Sequence, residues 1–241
     1  YNINMTTALI SAAKCNNLII VKWCIKNVVD IHDRHDMALR YAAENGCLKV
    51  VKFLLSKGAD IHAISDDALC LAANNNHLEV VQLLLDNQAD IHADDDCTLQ
   101  CASKEGRLEM VQLLINKGAD ISANNNNALQ LAVDNNHLDV VQFLLEAGAD
   151  VHADDDNALH TAADYGYYDI VKLLLEAGAD VHAENDRALR DASNYGHLDV
   201  VRLLIAAGAD VHAENDFALR VAIKRGHSDV AEVLSEHARA L

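Results

Sequence analysis

AENDRALRDASNYGHLDVVRLLIAAGADVH, residues 183–212, decides the fold, because it returns in varied form along the whole chain. Shifting it by 30 residues carries Ala188-Leu189 onto Ala158-Leu159, Ala128-Leu129, Thr98-Leu99, Ala68-Leu69, Ala38-Leu39 and Ala8-Leu9, and forward onto Ala218-Leu219. Eight copies follow one another without insertion or deletion. A fixed period of this size is the signature of a solenoid or array, in which each unit buries its apolar face against its neighbours. Positions within a copy are counted below from residues 1, 31, 61 and so on.

The unit reads as two short helices and a turn. Position 6 holds Thr6, Asp36, Asp66, Asp96, Asn126, Asp156, Asp186 and Asp216. All are residue types whose side-chain oxygen accepts from the free N–H groups of a first helical turn, so they are expected as N-caps. Position 16 holds only Gly or Asn, the two residues that enter left-handed backbone at least cost, and should end the first helix. Leu198, Val200, Val201, Leu203, Leu204 and Ile205 make the second helix apolar around most of its circumference, which implies burial on more than one side. The second helix should stop at position 28, which is Gly58, Gly118, Gly148, Gly178 and Gly208. All ten glycines occupy position 16 or 28, a concentration that drift would not produce.

Residues 196–213, GHLDVVRLLIAAGADVHA, resemble the ankyrin repeat, and the match recurs in all eight copies. The resemblance implies an all-α, ankyrin-type solenoid of eight helix-turn-helix repeats with shortened β-turn fingers. Three features depart from the family pattern. The unit is shorter than the family's usual one, with the loss before Ala-Leu, in the finger. The Thr-Pro-Leu-His box is replaced: the chain has no Pro, and His follows Leu only at His160. The Asn that usually ends the Gly-Ala-Asp run is His here. In this short, His-ending style the chain is similar to ankyrin proteins of large DNA viruses of amoebae.

Composition narrows the class. Hydrophobic residues make up 51% of the chain but aromatics only 4%, which fits a core of Ala, Leu and Val. No apolar run is long enough for a membrane span, and no charged-then-apolar leader is present. The six cysteines follow neither a disulfide framework nor Cys-x-x-Cys spacing, so reduced thiols in a cytoplasmic setting are expected, host cytoplasm if the chain is viral. Net charge is −18, and it lies entirely in the middle: residues 1–60 carry +3, residues 61–180 carry −18 and residues 181–241 carry −3. Such an array repels phosphate backbones, so nucleic acid is not an expected partner, nor is a membrane.

The array 1–241 is expected as one domain: an atypical first copy (1–30), regular copies (31–210) and a C-terminal capping copy (211–241). In copy one, Ile10, Ile19, Cys24, Val28 and Val29 sit where later copies are mostly polar, Leu, Gly or Ala. With Tyr1 rather than Met at the start, this suggests that further repeats precede the chain or that a partner covers this face. Trp23, in register with Phe53, Leu83 and Leu113, is expected in the core. Ser228, Ala231 and Ser235 trim apolar bulk from the last helix, as a cap should.

Histidine recurs as a ladder at His32, His62, His92, His152, His182 and His212, interrupted by Ser122; His77, His137, His197 and His227 form a second one. With one residue per unit and neighbouring units roughly 8–10 Å apart, adjacent rungs can hardly share a metal ion. Both ladders are expected as structural turn histidines hydrogen-bonded to nearby backbone, with no metal and no cofactor. Cys70, Cys97 and Cys101 are expected as buried small hydrophobes. No nucleophile elbow, phosphate-binding glycine loop or His-Glu-x-x-His motif occurs, so neither an enzyme nor a small-molecule substrate is expected.

What remains is the pattern of variation. Leu at position 9 and Ala at position 12 occur in every copy, whereas positions 14 and 15 read differently in each, as in Asp164-Tyr165, Asn194-Tyr195 and Lys224-Arg225. The family resemblance places these positions on the concave groove, the usual binding face. The expected function is therefore a protein–protein interaction module. The alternatives are a rigid spacer in a longer protein and a targeting adaptor bringing a client to host degradation machinery. The partner site is expected at Tyr165, Tyr195, Arg187, Arg190, Phe217, Arg220 and Arg225, since Tyr and Arg are enriched among binding hot spots. A secondary acidic strip is Asp94, Asp95, Asp154 and Asp155. A monomer is expected, with the N-terminal end as the surface for any association between copies.

The uneven charge generates a prediction. Residues 61–180 carry 22 carboxylates against 4 basic groups, so self-repulsion should weaken these copies at low ionic strength. The thermal midpoint, followed by circular dichroism, should rise between low and moderate salt; a flat or falling midpoint counts against this origin.

Overall fold

The computed structural model describes residues 2–27 and 29–240. Among these there are sixteen helices and no strand, two helices for each copy. They divide into two compact units, residues 1–123 and 124–241. In the first unit the first helices of the copies, α1 (Asn2–Lys14), α3 (Asp33–Glu44), α5 (Ala63–Asn74) and α7 (Ala93–Lys104), pack side by side in one row. Each also packs on its own second helix: α2 (Leu18–Lys26), α4 (Leu48–Ser56), α6 (Leu78–Asp86) and α8 (Leu108–Asn116), which touch one another in sequence. In the second unit, after α9 (Ala123–Asp134), the same holds for α11 (Ala153–Tyr165), α13 (Ala183–Tyr195) and α15 (Ala213–Arg225). Their second-helix row is α10 (Leu138–Glu146), α12 (Tyr168–Glu176), α14 (Leu198–Ala206) and α16 (Ser228–Ala240).

The recurring positions make the core. Leu39, Leu69, Leu99 and Leu159 at position 9, and Leu54, Leu84, Leu114 and Leu144 at position 24, are buried to within 1% exposure. Truncating any one of them to Ala removes contacts on several helices and should cost about 2–5 kcal/mol. Copy one keeps Leu9 and Cys24 buried but opens part of its second helix to solvent. Ile20 is 41% exposed where Val50 at the same position is 0%, and Ile19 stands 81% exposed. Trp23 is not in the core as expected: it is 54% exposed, because copy one is packed on its copy-two side alone among the described residues. Val28 lies outside the described residues, as does Tyr1.

The connection between copies differs from the expected cap. Positions 4 to 6 of copies two to eight turn left-handed, from Arg34-His35-Asp36 (φ 53–56°) to Glu214-Asn215-Asp216 (φ 52–57°), and the right-handed helix starts only after them. Asn and Asp tolerate this backbone region best, and runs such as Asn124-Asn125-Asn126 and Asp154-Asp155-Asp156 supply them. The position-6 carboxylate therefore caps no helix. Instead Asp36 Oδ1 accepts from the backbone N–H of Asp60, 24 residues on, at 2.8 Å. Asp90 donates likewise to Asp66, Asp120 to Asp96, Asp150 to Asn126, Asp180 to Asp156 and Asp210 to Asp186, all at 2.7–2.9 Å. The side chain of each donating Asp in turn accepts the N–H two residues ahead, as Asp60 does from His62 at 3.0 Å, closing a tight turn.

The first histidine ladder joins this network. Its Nδ1 donates to the position-6 carboxylate of the same copy, at 3.2 Å from His32 to Asp36 and 3.1 Å from His92 to Asp96. The partner is thus a carboxylate and not backbone, and it is buried in every such copy but the last. The pairing explains the interruption: the copy with Ser122 has neutral Asn126, and Ser122 Oγ donates to Asp120 instead. Every copy with His at position 2 has Asp at position 6.

The second ladder does bond backbone. His77 Nε2 donates to the Glu44 carbonyl at 3.0 Å, His197 to Asp164 at 2.8 Å and His227 to Asn194 at 3.1 Å, each reaching the end of the preceding first helix. Each ring lies over a glycine of that copy. A Cβ on Gly46, Gly166 or Gly196 would meet the ring of His77, His197 or His227 at 2.5 Å. Where the preceding copy carries Asn76 or Asn136, the next has Arg107 or Tyr167 in place of His. Position 16 is therefore glycine for two reasons, a positive φ that Asn also tolerates and a close approach that Asn does not.

Two predictions follow from these interlocks. Gly166→Asn should destabilise the chain by about 1–3 kcal/mol through overpacking, even though its φ of +72° suits Asn. Adding His197→Tyr, which recreates the Asn136–Tyr167 combination, should restore about 0.5 kcal/mol or more; strictly additive effects in a denaturant double-mutant cycle would exclude the interlock. The second concerns pH. The hydrogen bond to Asp96 raises the His92 pKa above the ordinary 6.5. A raised folded-state pKa stabilises fully below the unfolded value, and that gain is lost as pH rises through the folded value. The thermal-midpoint difference between the native chain and His92→Ser should accordingly be larger at about pH 6 than at pH 8, whereas a pH-independent difference would rule out the charged pair.

Candidate functional site

The expected partner-site residues all lie on first helices of the second unit, α11, α13 and α15. Glycines in left-handed conformation end α11 at Gly166, α13 at Gly196 and α15 at Gly226, so positions 14 and 15 form the last turn of each helix. Tyr165 and Tyr195 occupy that turn and are 56% and 55% exposed. Each ring stacks on a residue of its own copy: Tyr165 on Tyr167 with centroids 5.4 Å apart, and Tyr195 on His197 at 6.3 Å. This fixes two large amphipathic rings at little further entropic cost on binding.

The expected arginines are likewise held. Arg190 and Arg220 place their guanidinium carbons 5.6 and 5.9 Å from the centroid of Phe217, each within cation–π range. Arg190 also donates to the Glu184 carbonyl at 3.0 Å, and Arg220 to that of Asn215. Arg225 donates to Asn194 Oδ1 at 3.2 Å. Arg187 is shared between Glu184 (2.7 Å) and Asp191 (3.2 Å), and this hydrogen bond from Arg187 holds the Glu184 carboxyl below its usual range. The expected residues thus separate into a platform around Phe217 and a second group around Tyr165.

Around Tyr165 the structure assembles residues that the pattern of variation did not single out together. A recess of about 300 Å³ is lined by Asp134, His160, Thr161, Asp164, Tyr165, Arg187 and Asp191. His160 is 2% exposed, and neither ring nitrogen has a hydrogen-bond partner; the nearest carboxylate oxygen, on Glu184, is 3.9 Å from Nδ1. Burial pushes its pKa down, and nearby Arg187 pushes the same way, so the ring is neutral at pH 7. Burial raises Asp191, with Arg187 opposing and Asp164 adding to the rise. The sequence signal for this recess is His160 itself, the single place where His follows the position-9 Leu.

The acidic strip splits in the same way in both units. Asp94 and Asp95 are exposed while Asp96 is buried and bonded to the Asp120 backbone, and Asp154 and Asp155 are exposed while Asp156 is buried and bonded to that of Asp180. Elsewhere, all six cysteines are free thiols; Cys97 and Cys101 lie with sulfurs 3.8 Å apart, and burial raises Cys70 to about 11. A thiol so displaced is a poor metal ligand or nucleophile at neutral pH. Among the described residues no three His, Cys, Asp or Glu side chains are grouped to hold a metal ion, and no helix is long and apolar enough to cross a membrane.

Comparison with protein families accounts for the repeat. The family described as ankyrin repeats (3 copies) matches residues 1–65, 62–125, 123–185 and 159–240. No curated protein matches the chain. A family match over almost the whole length, the helix pairs and the recurring Leu and Ala core agree, and the chain belongs to the ankyrin repeat family, whose members are in general protein-interaction scaffolds and not enzymes.

Proposed function

We propose that the chain is a protein–protein interaction module that binds a protein partner through the concave, first-helix face of copies six to eight. The observation that carries this reading is the set of exposed aromatic rings fixed in advance by neighbours of the same chain: Tyr165, Tyr195 and Phe217. Rings of this kind offer large contact area and hydrogen-bonding tips, and Arg190 and Arg220 beside Phe217 add oriented donors. The position-14 and position-15 residues vary between copies while the core does not, as expected where packing leaves side chains free to match a partner. Fold alone would support only the general class; the site argument rests on these residues.

The test is selection of binders from a displayed peptide or protein-fragment library on the full 241-residue chain, followed by affinity measurements on variants. At least one of Tyr165→Ala, Tyr195→Ala and Arg190→Ala should weaken binding by about 30-fold, the scale of a hot spot of 2 kcal/mol. If all three bind as the native chain does, while Asp94→Lys or Asp154→Lys abolishes binding, the site lies on the acidic strip instead.

A further inference from the structure

We propose that the recess beside Tyr165 is a receptor for one arginine side chain of the partner. The inference rests on the binding face proposed above and names the chemistry of one of its contacts. A volume of about 300 Å³ lies at the small end of ligand pockets and suits one long side chain better than a cofactor.

Its charge selects the sign. Asp134, Asp164 and Asp191 line it against a single guanidinium, Arg187, which is already bonded to Glu184 and Asp191. Asp134 accepts a hydrogen bond from the neutral Gln130 amide at 2.7 Å. No cation or hydrogen-bond donor within the chain takes the Asp164 carboxylate among the described residues, and its nearness to Asp191 adds to the rise of that carboxyl. The lining is therefore a net two charges negative and incompletely paired. An anion is repelled, and a neutral apolar group would leave these carboxylates without partners.

His160 supplies the independent indication that something is missing. A buried imidazole ring with both nitrogens unpaired is costly, and natural structures rarely keep one without a use. Neutral, it presents one accepting nitrogen to an incoming N–H donor. Tyr165 forms the exposed wall, its ring held against Tyr167 and half open to solvent. A guanidinium uses all of this at once: its fork donates to carboxylates in pairs, an N–H remains for the imidazole, and its flat face stacks on the tyrosine. An ammonium has the charge but not the fork or the face.

The experiment is NMR titration of the full chain with Nα-acetyl-arginine amide, in parallel with the lysine, citrulline and glutamate amides. The expected result is saturable shifting of the His160 and Tyr165 ring resonances by the arginine amide, at least tenfold stronger than by any of the other three. Asp164→Asn should weaken it by tenfold or more with no fall in thermal midpoint, since that side chain has no donor to lose and its charge repels Asp191, and Tyr165→Ala serves as the second variant. Equal response to lysine, or none to arginine, overturns the proposal. The peptide selection separates the two readings. Binders that need Tyr195 or Arg190 but carry no required arginine overturn the arginine receptor and leave the binding face standing. Absence of any binder sensitive to the three face substitutions overturns both.

Discussion

The carboxylate at position 6 is the interaction on which the stack depends. One oxygen accepts the backbone N–H of an aspartate 24 residues on, at position 30 where the chain leaves the copy for the next, and the group also takes the imidazole N–H of its own copy. Asp36, Asp66, Asp96, Asp156 and Asp186 are all buried, so each bond is made where water competes poorly. A buried carboxylate without such donors would cost several kcal/mol. The turn by which the chain leaves a copy is thus tied to the turn by which it entered through directional polar bonds, while Leu and Ala at positions 9, 12 and 24 supply the non-directional burial. Asp216, in the last copy, shows the dependence by contrast: its side chain is 51% exposed and keeps only the histidine of its own copy.

Much of this was legible in the sequence because a repeat is its own alignment. The 30-residue period, the helix pairs, the two glycine stops and the Leu and Ala core needed nothing beyond residue types and spacing. Two readings failed for identifiable reasons. Asp at position 6 looks like a helix cap, because capping and the longer-range bond use the same short acceptor side chain; only three dimensions show which donor it reaches. Trp23 matches core residues in register, yet burial there depends on what packs on both sides of a copy, which register does not state. The left-handed turns are encoded in the Asp and Asn runs, residue types that serve equally as helix caps, so spacing alone does not separate the two uses.

The candidate site was legible in part. Tyr165, Tyr195, Phe217 and the arginines stand out because they break the repeat. Their grouping did not, since Arg187 turns toward Asp191 and His160 while Arg190 and Arg220 turn to Phe217, and side-chain direction is not encoded in spacing. His160 was visible as a singular residue, but its lack of partners is a property of the packed helices around it.

The glycine–histidine contact means that copies are not interchangeable parts. A copy presents position 17 to the unit before it and position 16 to the unit after it. Copy seven, with His197 and Gly196, is compatible with itself and can be duplicated in tandem. Copy three, with His77 and Asn76, cannot follow itself, because the duplicate's ring would meet an asparagine side chain where Gly46 now leaves room. The chain therefore carries a grammar of adjacency, in which copies six to eight can each follow themselves while copies three and five, with His directly after Asn, cannot.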